Sequence, residues 1–154
     1  MDFFLVRHGE AKPETEDSRR PLTRRGQEEV EAVARATSDR GVQVRRIFYS
    51  EKLRAKETAE ILARYLSPVG GAGEFKGLAP EDDPMLAKAE LEAAEGSLML
   101  VGHLPHLGRL TSMLVTGDSE KEVVNFPAAA VFCLSQGGKS WKLHWTLDPA
   151  DLRE

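Results

Sequence analysis

Short unbroken apolar runs alternate along this chain with longer stretches in which apolar residues recur every three or four positions. Phe3 to Val6 is the first run, and four consecutive apolar residues suit a strand buried on both faces. A polar loop from Glu10 to Pro21 follows, carrying both signs of charge and two prolines. Thr23 is placed to cap a helix, because its hydroxyl can accept from the free N–H groups of a first turn. That helix has the apolar face Val30, Val33 and Ala34, with Thr37, and Gly41 is placed to end it. Val44 to Tyr49 reads as a second strand. Ser50 reads as the N-cap of the next helix, whose stripe is Ala55, Ala59, Leu62 and Leu66.

Ser67 to Gly77 reads as a glycine-rich connection. Leu78 to Pro84 then leads into a helix, since proline is tolerated in a first turn and acidic residues suit the positive end of the dipole. Met85 to Glu95 is helical by propensity and Gly96 closes it. Ser97 to Val101 reads as a third strand. Pro105 fits the first turn of a helix with the stripe Leu107, Leu110, Thr111 and Leu114. Ala128 to Leu134 and Trp141 to Leu147, joined through Gly137-Gly138, carry a hairpin signal. The alternation before that hairpin predicts an α/β fold with a mostly parallel sheet covered by helices.

Composition narrows the class. A length of 154 residues predicts one domain spanning 1–154 with a sizeable core. Hydrophobic residues make up 41% and charged residues 30%, the balance of a folded globular protein. A net charge of −4 argues against a general nucleic-acid partner. No apolar run approaches the roughly 18–20 residues of a membrane span. The start lacks the basic segment and cleavage site of a secretory signal, so a cytoplasmic location is expected. Cys133 is the single cysteine, so there is no internal disulfide and no cysteine cluster for zinc; it reads as a core residue.

The chemistry concentrates where apolar runs stop. The first ends in Arg7-His8-Gly9-Glu10 and the later one in Gly102-His103-Leu104-Pro105-His106. Open α/β sheets place ligands at the C-terminal ends of their strands, so both histidines are expected at one rim. Arg54, early in the helix after the second strand, is placed to reach it. Arginine forks match phosphate oxygens, and a neutral histidine can attack phosphorus. Two histidines and at least two arginines are therefore a kit for metal-free phosphoryl transfer through a phosphohistidine intermediate, with fixed cations stabilising the transferring group. No NTPase-type phosphate loop is present. His103 and His106 have a metal-compatible spacing, but neither Glu10 nor Asp82 completes a recognised ligand set, and no metal is expected. His106 and His144 read as core or solvated histidines.

Taken together, Arg7-His8-Gly9-Glu10, Arg20-Pro21-Leu22-Thr23 with Gly26, Ser50 with Leu53-Arg54-Ala55 and Thr58, and Gly102-His103-Leu104-Pro105 resemble the histidine phosphatase superfamily, which has a phosphoglycerate mutase-like fold. The likeness is greatest to short phosphohistidine phosphatases of the SixA type. The resemblance implies a three-layer α/β/α domain without a large helical lid. It implies His8 as nucleophile, with Arg7, Arg54 and His103 as the rest of the phosphate pocket and Arg20 at its edge. No cofactor and no metal are implied. The chain departs from the family pattern at Ser50-Glu51, where Ser-Pro is common. Only 48 residues separate Arg54 from His103, too few for the lid of larger members. Glu10, Glu51, Glu81, Asp82 and Asp83 remain candidates for a proton donor.

Three functions compete at this point. The first is dephosphorylation of phosphohistidine on a protein, the partner being a histidine phosphocarrier or phosphotransfer domain. The second is hydrolysis of a small phosphate ester, such as a sugar phosphate or nucleotide. The third is non-catalytic phosphate binding, against which the intact His8, Arg7, Arg54 and His103 set speaks.

Overall fold

A computed structural model describes residues 1–121, 125–138 and 140–152. Six strands form one mixed sheet: β1 (Asp2–Arg7), β2 (Arg46–Tyr49), β3 (Ala72–Glu74), β4 (Leu98–Gly102), β5 (Val131–Gly137) and β6 (Ser140–Leu147). Their order across the sheet is β3-β2-β4-β1-β5-β6. The first four are mutually parallel, while β5 runs antiparallel to β1 and β6 antiparallel to β5.

Four helices cover the two faces: α1 (Arg24–Asp39), α2 (Leu53–Leu66), α3 (Pro84–Ala93) and α4 (His106–Thr116). Strand alternation separates two cores. Phe4, Val6, Ile47, Met99 and Val101 pack with Val30 and Val33 of α1 and Ala59 and Leu62 of α2. Phe3, Leu5, Leu98 and Leu100 pack with Leu91 of α3 and Leu107 and Leu110 of α4. Both β1 and β4 are therefore buried on two sides, which is why each reads as a continuous apolar run. The fold is α/β, a mostly parallel sheet between two helical layers, as the alternation of elements in the sequence predicts.

Thr23 caps α1 by accepting from the Gly26 N–H at 2.9 Å, and Gly41 follows the helix at a φ of +79°. Several details differ from the sequence reading: β2 starts at Arg46 rather than Val44, and β5 runs from Val131 to Gly137 rather than from Ala128 to Leu134. The glycine-rich connection contains β3, which adds a parallel edge to β2 and makes Leu98–Gly102 the fourth strand rather than the third. Asp83 caps α3 by accepting from the Met85 N–H, so the helix begins at Pro84 and stops at Ala93, short of Glu95. Pro105 occupies the N-cap of α4, not its first turn. Ser50 does not cap α2: the N-cap position belongs to Lys52, and the Ser50 hydroxyl is engaged elsewhere. Between α2 and β4 lie only β3, α3 and their connections, with no helical lid among the described residues.

Candidate active site

Strand register assembles the site. Arg7 of β1 lies opposite Gly102 of the parallel strand β4, so His8 and His103, each the next residue, leave the sheet side by side. The His8 backbone N–H donates to the Gly102 carbonyl at 3.0 Å, which extends the ladder one step past the strand. The two imidazole rings lie 4.9 Å apart between centroids, tilted by 58°.

His8 Nδ1 is 2.7 Å from the carbonyl of Gly9. A carbonyl only accepts, so Nδ1 carries the proton and Nε2 keeps its lone pair. Burial lowers the His8 pKa to about 4; the Gly9 carbonyl opposes this, and the charges of Arg54, Arg7 and Arg20 add to the lowering. The ring is thus neutral at neutral pH, the state a nucleophile requires. Burial, with His8 and Arg54 nearby, lowers the His103 pKa to about 3.

Arg7 donates from Nη1 to the Phe126 carbonyl at 2.9 Å. Arg54 is the second residue of α2 and Arg20 sits in the loop before α1. Arg20 adopts a left-handed backbone, φ +50°, and donates from Nε to the Lys12 carbonyl at 3.0 Å. Burial lowers the pKa values of Arg7 and Arg54, but guanidinium starts so far above neutrality that both stay charged. Nε of Arg7, Nε of Arg54 and Nδ1 of His103 are buried and have no hydrogen-bond partner. Orphaned polar atoms grouped in this way need an acceptor, and the oxygens of a phosphoryl group are acceptors.

A cleft of about 440 Å³ opens beside His8, with Arg7, Glu10, Arg20, Arg25, Pro127 and Asp148 among its lining residues. Among the five candidate proton donors, Glu10 lines this cleft, its Oε1 accepting from the Thr23 hydroxyl at 2.9 Å. Glu51 is exposed just before α2. Glu81 pairs with Arg109 at 3.9 Å, Asp82 accepts from the Ala79 N–H at 3.0 Å, and Asp83 caps α3. His106 is buried at the start of α4 and His144 is exposed on β6.

Three supports of the site are contacts between residues far apart in the sequence. Thr58 Oγ1 accepts from the Gly9 N–H at 3.1 Å and donates to the Arg54 carbonyl at 2.8 Å. The Phe126 carbonyl holds Arg7 from 119 residues away, which no local signal could reveal. Ser50 Oγ lies 2.8 Å from His103 Nε2; a serine at the end of a strand, before a helix, carries the same signal as a cap.

Comparison with known proteins adds relatives to this geometry. A model of the histidine phosphatase superfamily (branch 1) matches residues 3–78. The chain is 30% identical over 158 aligned residues to the phosphohistidine phosphatase SixA of Escherichia coli strain K12, covering 99% of this chain and 97% of that protein. The structure of the protein histidine phosphatase SixA complexed with tungstate superimposes with a TM-score of 0.87 at 28% identity, over 99% of this chain and 100% of that one. A mycobacterial glucosyl-3-phosphoglycerate phosphatase shares the fold, with a TM-score of 0.73 at 16% identity over 94% of this chain and 98% of that one.

Proposed function

The chain belongs to the histidine phosphatase superfamily and is a phosphatase, and from that premise we propose that it removes phosphoryl groups from phosphohistidine on a protein, without a metal, through a covalent intermediate on His8, as one domain. The observation that carries this reading is the state of His8: neutral, Nδ1 donating to Gly9, Nε2 unprotonated, and three guanidiniums close enough to depress its pKa.

In the first step Nε2 of His8 attacks phosphorus as the bond to the leaving nitrogen breaks, and the leaving imidazole departs with a proton. Arg7, Arg54 and Arg20 offset the charge spread over the three equatorial oxygens, the service that such transfers demand. Water then attacks the phosphorylated His8, releasing inorganic phosphate and restoring the imidazole. A phosphoimidazole protonated on its free nitrogen leaves without a dedicated acid, and Glu10, at the cleft beside His8, is the candidate donor for esters whose leaving group lacks that proton.

Two observations favour a protein substrate over a small ester. The short segment between α2 and β4 leaves the rim uncovered by any helical lid among the described residues, which suits a phosphoryl group presented on a folded surface. The SixA relatives match nearly the whole chain at 28–30% identity, against 16% for the small-ester phosphatase.

The test is turnover, with chelator present, of a histidine-phosphorylated carrier protein against a panel of small phosphomonoesters, with wild type and His8→Ala side by side. The expected result is preference for the phosphoprotein, lost in the variant. Preference for one small ester moves the assignment to a metabolic phosphatase, and turnover retained by His8→Ala removes the covalent mechanism.

A further inference from the structure

We propose that Ser50 is a positioning residue that fixes the tautomer of His103, so that Nδ1–H of the second histidine is the donor offered to a phosphoryl oxygen. The inference rests on the reading of this pocket as a phosphoryl site.

A neutral imidazole carries one N–H, and whichever group bonds one ring nitrogen decides the role of the other. His103 Nε2 faces Ser50 Oγ at 2.8 Å, with both residues buried. The hydroxyl has one proton and two lone pairs. Its oxygen accepts from the Lys52 N–H at 3.3 Å. No other described group accepts the hydroxyl proton. The O–H therefore donates to Nε2, which must hold a lone pair, and the ring proton sits on Nδ1.

That Nδ1 is buried and without a partner, and its ring lies 4.9 Å from the ring of His8. The opposite tautomer would turn a lone pair toward the phosphoryl oxygens and repel them. Because burial keeps His103 neutral, its service depends on where the single proton sits rather than on a positive charge. The sheet builds this contact. Tyr49 of β2 pairs with Val101 of β4, and the Ser50 N–H continues the ladder to the Val101 carbonyl at 3.1 Å. The two residues that leave those strands are thereby held within reach of each other.

Ring nitrogen shifts decide the matter in the full-length protein labelled with ¹⁵N-histidine at neutral pH, with His103 assigned by its loss in His103→Asn. Wild type is expected to show His103 protonated at Nδ1 and bare at Nε2, with the Nδ1 signal moving as tungstate is added. Ser50→Ala is expected to shift the population toward Nε2–H and to lower kcat by about 10- to 100-fold, the loss that follows when the partner orienting a metal-ligating histidine is removed. Ser50→Thr, which keeps the hydroxyl, is expected to restore most of both. A wild-type His103 protonated at Nε2 overturns the proposal, as does Ser50→Ala with unchanged tautomer and kcat. If Ser50→Ala does not fold, the wild-type shifts and their response to tungstate still decide. Failure of the phosphatase reading shows separately, as wild type without turnover.

Discussion

The backbone N–H of Gly9 donates to the hydroxyl of Thr58 across 3.1 Å, and the same hydroxyl donates to the carbonyl of Arg54. One side chain thus ties the turn that carries His8 to the helix that carries Arg54. Thr58 is fully buried. Thr58→Val keeps the shape and removes both bonds, leaving the Gly9 N–H buried without an acceptor, at a cost of about 1–3 kcal/mol. Urea denaturation is expected to show that loss, with a fall in kcat beside it. Unchanged stability and kcat would show that the tie does not hold the site.

Arg54 offers a second prediction. Its Nε is buried and unpartnered, so its fork is available for two oxygens at once. Lysine carries the charge but not the planar geometry. Arg54→Lys is expected to lower kcat/KM by about 100-fold, within the range for loss of a fixed donor. Steady-state kinetics on a phosphorylated carrier check this; a loss below about threefold would mean that charge alone suffices.

Stability is expected to fall with acidification. The pKa of His8 is lowered to about 4 and that of His103 to about 3, from 6.5 for the free side chain. Between about pH 6.5 and 4 the unfolded chain takes up protons at these positions that the folded chain refuses, so the free energy of unfolding drops as pH drops. Below the folded values no further loss arises from them. Urea denaturation at a series of pH values measures the slope. His8→Ala is expected to flatten it, and an equal slope in wild type and variant would contradict the buried, neutral state of His8.

Glu10 is expected to matter according to the leaving group. An alkyl alkoxide needs a proton as it departs, whereas a protonated phosphoimidazole is already a good leaving group. Glu10→Gln should therefore slow hydrolysis of an alkyl phosphate by about 100-fold, a usual general-acid contribution, and leave phosphohistidine turnover within about threefold of wild type. Equal effects on both substrates would assign Glu10 to the structure of the loop, where its carbonyl accepts from the Thr23 N–H at 3.0 Å.

The features legible in the sequence were those written in consecutive residues. Phe3–Val6 and Leu98–Val101 announce themselves because both faces of β1 and β4 are covered, and the histidines that follow share a rim because those strands are parallel neighbours. Strand β3 escaped because it is three residues long, at an edge, and made of Ala72, Gly73 and Glu74; its pairing to β2 defines it, not its own propensity. The role of Ser50 is hidden from the sequence for a related reason. Its hydroxyl had a local candidate, the start of α2, and a distant one, His103, and only the fold brings the second within reach. The Arg7 contact with the Phe126 carbonyl belongs to the same class.

The strand order has a consequence for how the chain is made. Of the six strands β1 is synthesised before the others, yet it sits between β4 and β5, so neither neighbour exists until residue 98 and then residue 131 have been synthesised. Until then Phe3, Phe4, Leu5 and Val6 form an unpaired apolar segment of the kind that seeds association between chains. The neighbours that bring the two histidines together thus also leave β1 without a partner while β2, β3 and the helices before β4 are being made.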